Sequence, residues 1–145
     1  MATSYGSGAI TANITGSVNT IPPTIPAGAV QVVRSTPYST TAGATLYTVT
    51  AGKTLYITSV WINFAFNAAA QGTLVLQADV LGDASYRQLI AAVAKGVAGN
   101  LGTAVSSAIP FPTPVQVPAT KIVQYVGTNP AGVVDGFVGF TGYEL

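Results

Sequence analysis

A chain of 145 residues is long enough for one domain with a core of its own, without help from disulfides or metals. It is 49% hydrophobic but only 6% charged, where about 25% is usual, and it contains no Cys and no His. These absences exclude disulfide scaffolds, thiol catalysis, zinc fingers, His-ligated haem and imidazole triads, and a net charge of +1 offers no footprint for nucleic acid or an anionic membrane.

Residues 1–27 carry no charge and are built from Thr, Ser, Gly, Ala, Asn and Pro around Ile10, Ile14, Val18 and Ile21. The spacing of those apolar positions hints at a helix. Gly6, Gly8 and Gly16 among β-branched residues, and the closing Pro22-Pro23 and Pro26, favour an extended N-terminal arm instead. The segment has too little apolar surface to fold alone. It either lies along a neighbouring subunit or partner surface, or it is a disordered tail; both readings stand. The opening Met1-Ala2-Thr3-Ser4-Tyr5-Gly6 lacks the basic and apolar regions of a secretory signal, so synthesis in the cytosol is expected. Asn13-Ile14-Thr15 fits the glycosylation pattern, but without such a signal it reads as coincidence. The mean hydropathy of +0.51 is high, yet no stretch reaches the roughly 20 apolar residues of a membrane span.

Residues 28–145 read as one β domain. Short runs at 29–34, 44–50, 54–66, 73–81, 120–127 and 133–143 are separated by Gly and Pro turn signals. In the run from Thr73, Leu74, Leu76, Ala78 and Val80 share one face, and Thr73, Val75, Gln77 and Asp79 share the other. In the run from Thr54 the parity switches: Leu55 and Ile57 share a face, then Val60, Ile62, Phe64 and Phe66 continue it. One extra residue near Thr58 or Ser59 restores register, which predicts a β-bulge or a crossing between sheets there and puts Trp61 on the opposite face. Residues 86–95 contain good helix formers but also alternate; their strand-rich surroundings and Gly96 favour a strand. Val49-Thr50-Ala51-Gly52-Lys53, Val117-Pro118-Ala119-Thr120-Lys121 and Ile25-Pro26-Ala27-Gly28 echo one another and read as a recurring turn that launches a strand. Pro110-Phe111-Pro112-Thr113-Pro114 reads as an ordered connecting loop rather than a polyproline ligand. The whole pattern predicts an antiparallel β-sandwich or barrel.

Candidate chemistry is sparse. Gly52-Lys53-Thr54 resembles the end of a phosphate-binding loop, but Tyr47 stands where a Gly is needed and a strand follows instead of a helix. Asp79 and Asp83 flank Leu81-Gly82; a turn is the reading preferred to a cation site or an acid–base pair. Ser59, Ser85, Ser106 and Ser107 have no spacing to a lysine that singles one out for catalysis. Seven scattered Tyr and one Trp read mostly as half-buried strand residues. No enzyme activity, cofactor or metal is therefore expected. Few charges leave little to keep copies apart and suit lasting contact with other protein, so an assembly component is the natural expectation.

The segment Tyr47-Thr48-Val49-Thr50-Ala51-Gly52-Lys53-Thr54-Leu55-Tyr56-Ile57-Thr58-Ser59-Val60 resembles one common in small β-sandwich virion proteins of tailed bacteriophages, with Thr50 where Pro is usual. Val117-Pro118-Ala119-Thr120-Lys121-Ile122-Val123 has the Pro but lacks the Gly, and Gly139-Phe140-Thr141-Gly142-Tyr143-Glu144-Leu145 is similar to the last strand of such proteins. The resemblance spans about residues 43–145 as pattern rather than identity. It implies a jelly-roll-like sandwich after an extended arm. It also implies a capsid decoration (cement) role: a homotrimer on the virion surface, assembled in the host cytoplasm and bound to the major capsid protein. The partner-binding residues expected are Ile10, Ile14, Val18 and Ile21 of the arm, with Arg34 as an orienting ion-pair partner. The runner-up is a tail-tip or fibre module that recognises host glycan; a filament subunit that donates its arm as a strand stands third.

Overall fold

Eight strands follow in chain order: β1 (Val30–Pro37), β2 (Gly43–Thr48), β3 (Leu55–Phe66), β4 (Gln71–Ala78), β5 (Arg87–Lys95), β6 (Ala104–Val117), β7 (Ile122–Thr128) and β8 (Val133–Glu144). The computed structural model describes residues 25–37, 43–66, 71–95, 104–128 and 133–145, and among these there is no helix. Ile10, Ile14, Val18 and Ile21, with the rest of 1–24, lie outside the described residues.

The pairings β1·β8, β2·β7, β3·β6 and β4·β5 are all antiparallel, so the chain is one long hairpin paired end to end. Additional pairs β3·β8 and β4·β7 roll that hairpin into two four-stranded sheets, β1-β8-β3-β6 and β2-β7-β4-β5. This strand order is that of the eight-stranded jelly roll. Period-two alternation fills the space between the sheets: Leu55, Ile57, Val60, Ile62 and Phe64 of β3 and Val138 and Phe140 of β8 meet Leu74, Leu76 and Ala78 of β4 and Val123 and Tyr125 of β7.

The parity switch in β3 has the expected cause. Registers Ile57↔Gly142 and Ser59↔Thr141 leave Thr58 as one extra residue, a β-bulge that keeps both halves of the strand facing the core. Trp61 lies on the outer face, as its parity requires. Residues 87–95 form a strand with Ile90 and Ala92 turned inward.

Two readings are corrected. The Pro-rich stretch is not a connecting loop but part of β6. Proline survives there because β6 is an edge strand, where a missing N–H costs no ladder bond. Between Ser59↔Pro110 and Ile57↔Val115, the four residues Phe111–Pro114 bulge opposite Thr58 alone. Asp79 does not continue the outer face of β4. The strand stops at Ala78, and the Asp79 side chain is buried, with Lys121 beside it.

The recurring turn is real. Lys53 N–H donates to Thr50 O (3.0 Å), Lys121 N–H to Pro118 O (3.2 Å) and Ala29 N–H to Pro26 O (3.1 Å). The third residue of each has positive φ: Gly52 75°, Thr120 65°, Gly28 83°. That is the type II pattern. Two of the turns interlock, through Val49 N–H to Lys121 O and Thr120 N–H to Val49 O. A β-branched residue at φ 65° is strained, so Thr120→Gly is expected to stabilise the fold by about 0.5–1 kcal/mol in urea unfolding, the relief exceeding the added chain entropy of Gly.

Candidate functional site

Cross-strand registers place outward residues of the first sheet in rows. One reads Gln31–Tyr143–Tyr56–Gln116, the next Val33–Thr141–Ser59–Pro110, then Ser35–Gly139–Trp61–Ala108, then Pro37–Phe137–Asn63–Ser106. None of these sixteen positions is charged. Tyr56 and Tyr143 stack with ring centroids 5.1 Å apart and planes 12° from parallel. The Trp61 indole lies across Gly139, where a Cβ would come within 2.5 Å of Trp61 Cζ2 and of the Arg34 carbonyl oxygen. At the bulge, the Ser59 and Thr141 hydroxyls are 2.6 Å apart, and Thr58 Oγ1 donates to the Thr141 carbonyl at 3.2 Å. These contacts satisfy hydroxyls within the face, while Val33 (48% exposed) and Phe137 (45%) stand open to solvent.

The second sheet has a different outer face. Its rows include Thr45–Gln124–Gln77–Gln88 and Val126–Val75–Ala91, with no aromatic residue among them. Lys95, at the end of β5, is the first charge.

Six of the nine charged residues gather at the end of the sandwich where β1 begins and β8 ends: Lys53, Asp79, Asp83, Arg87, Lys121 and Glu144. Asp79 Oδ2 accepts the Ala84 N–H at 3.1 Å and lies 3.5 Å from Lys121 Nζ. Asp83 Oδ1 accepts the Ser85 N–H at 2.9 Å, and Oδ2 lies 3.5 Å from Arg87. The Ser85 N–H chiefly holds the Asp83 carboxyl below its ordinary pKa, with the Arg87 charge assisting. Each acid thus has its own partners, and among the described residues no three metal-ligating acids converge.

Glu144 is buried and accepts the Thr50 N–H at 2.8 Å. Burial pushes its carboxyl up, but bonds from the Thr50 N–H, the Thr50 hydroxyl and the Tyr47 hydroxyl, with the Lys53 charge, together bring it below its usual range. Burial and the bond to Glu144 raise the Tyr47 hydroxyl. The same Tyr47 ring meets Phe140 edge-on at 6.1 Å and carries the Arg34 guanidinium 4.9 Å from its centroid. Glu144 therefore ties the β2–β3 turn to the last strand.

Of the residues expected to bind a partner, only Arg34 is described. It is exposed, rests on Tyr47, and makes no ion pair among the described residues. The uncharged face was not named from sequence, since its members are spread over four strands. Its signal was there in the polar or aromatic outward position of each strand, but it becomes a surface only once the strand order is known.

No protein-family model matches the chain, and no curated protein matches its sequence. Among solved structures, the chain is similar to the Eiger TNF protein from S. frugiperda at 11% identity and a TM-score of 0.44, over 79% of this chain and 92% of that one. It is also similar to the virus-like particle protein of the extra small virus of the giant freshwater prawn Macrobrachium rosenbergii, at 15% identity and a TM-score of 0.37, over 85% of each chain. Likeness at this level speaks to neither function nor partner; the jelly roll is established by the strand order.

Proposed function

We propose that this jelly roll is a non-catalytic structural protein of a virion, a homotrimeric decoration protein that binds the major capsid protein on the outside of the head and stabilises the shell. The observation that carries the reading is the distribution of charge. Four rows of one sheet's outer face and the central rows of the other's hold none, and most charges are confined to one end. Such faces suit permanent burial against protein, because interface cores are depleted in charge. Binding only the assembled shell stabilises that state by mass action.

The edges of the sandwich favour contact by faces over strand addition. β1 carries Arg34 at a core-facing register position and ends on Pro37. β2 has only six residues and a bulge at Leu46. β5 is bulged at Leu89 and flanked by Arg87 and Lys95, and β6 holds Pro110, Pro112 and Pro114. Each device blunts an edge against pairing with another chain. This weighs against a filament built by strand donation.

A glycan-binding tail or fibre module is the second reading, favoured by the grouping of Tyr56, Tyr143, Trp61 and Phe137 on one face. Two of those rings stack on each other and a third lies across Gly139, which leaves little open ring surface for a sugar. The copy number of the chain relative to the major shell protein in purified particles separates the two: a simple fraction of the shell copies supports decoration, a handful per particle supports the tail.

Deleting residues 1–24, which leaves the Pro26–Ala29 turn before β1, is expected to abolish co-sedimentation with empty shells while the circular dichroism spectrum and melting temperature persist. Retained binding by the shortened chain refutes the arm's role.

A further inference from the structure

We infer that the outer face of the β1-β8-β3-β6 sheet is the contact between copies of this chain. The inference rests on the self-association half of the reading above and is independent of the shell. Three observations carry it.

The first is charge. Four consecutive rows of the face hold no charged residue, and the chain's net charge is +1, so copies meet through this face around a shared axis without desolvating an ion and approach without repulsion. The second is the contrast with the other sheet. Aromatic side chains, which dominate interface cores, sit on this face as Tyr56, Trp61 and Phe137, whereas the described outward rows of the second sheet have none. The third is size. Four strands about 4.8 Å apart and the eight residues of β3 that span the four rows, at about 3.3 Å each, give a patch roughly 19 Å by 26 Å, on the order of 500 Å² in projection before side-chain relief. A stable interface needs about 800 Å² of accessible surface per partner, so the contact takes in the whole face with its side-chain relief and not a fragment of it.

Val33 and Phe137 stand out from the face on either side of the row that holds Ser35 and Gly139, whose backbone the Trp61 ring already covers. A neighbour laid over this face removes from water the two large hydrophobic side chains that it leaves exposed.

The test is the mass of the full-length protein in solution, by sedimentation equilibrium or light scattering, for the wild type, Val33→Lys, Phe137→Lys and the control Val93→Lys. All three sites are half exposed, so each variant is expected to fold, with the circular dichroism spectrum and melting temperature as the check. Val93 lies on the other sheet. The expected result is an oligomeric wild type and control, with self-dissociation constants for Val33→Lys and Phe137→Lys raised roughly a hundredfold or more by a buried, unpaired ammonium. A monomeric wild type overturns the inference. So does an oligomer that ignores Phe137→Lys, or one dissociated by Val93→Lys alone. Shell co-sedimentation of the same proteins is read separately. A monomeric wild type whose shell binding is lost in Phe137→Lys assigns the face to the shell, which defeats this inference and leaves the decoration reading standing.

Discussion

Gly139→Ala is expected to lower stability by about 2–3 kcal/mol, a large loss for a single methyl group. β8 is an inner strand, hydrogen-bonded to β1 on one side and β3 on the other. A Cβ on residue 139 would stand 2.5 Å from the Arg34 carbonyl oxygen and 2.5 Å from Trp61 Cζ2. The indole can turn aside, but the carbonyl is part of the ladder, and moving it strains the β1 register. Adding Trp61→Ala to Gly139→Ala is therefore expected to restore only part of the loss. Urea unfolding of the two variants, with an unchanged slope against denaturant, measures it; full recovery in the double variant would show that the ring alone made the site intolerant.

Glu144→Ala is expected to cost about 3 kcal/mol. The carboxylate accepts the Thr50 N–H and the Tyr47 hydroxyl, and bonds to a charged group contribute about 1.5–3 kcal/mol each, offset here by the cost of having buried the charge. The same group sets part of the acid dependence. Its folded pKa lies below the ordinary value of 4.5. Its contribution is present above that value and lost as the pH falls through the lower, folded one. Glu144→Gln keeps the shape and removes the titration. Stability measured from pH 6 downwards is expected to fall less steeply in this variant than in the wild type. A residual slope remains from Asp83, whose carboxyl is also held low but is exposed and screened by solvent. Parallel curves for wild type and Glu144→Gln would remove Glu144 from the acid transition.

How far the fold could be read in the chain depended on whether the signal was local. The bulge at Thr58 was legible as one of two ways, with a crossing between sheets, to keep both Ile57 and Val60 buried across a parity switch. The type II turns were legible because Ala-Gly and Ala-Thr recur in one context. β6 was not: three prolines read as a break unless the strand is known to be an edge, and edge status is a property of the whole strand order. Nor was the burial of Asp79, which depends on the chain turning back at Gly82 (φ 73°) and Ala84 (φ 63°), and Ala84 carries no mark of a left-handed conformation. Arg34 was picked out as a lone charge next to an uncharged arm; its place over Tyr47 needed the two sheet edges brought together.

The end-to-end pairing of the chain also governs the order in which the molecule is made. The second sheet needs nothing beyond β7, and its β4–β5 hairpin can close as soon as Lys95 has been synthesised. The first sheet lacks an inner member until β8 is made, because β1 has no other neighbour and β3 has only β6. On the ribosome the inner edge of β3 therefore waits for residues 133–144 before it is paired, and contacts between the first and last strands span a hundred residues or more. Folding of this topology is slow by the measure of loop closure, and its final step joins the two ends of the domain.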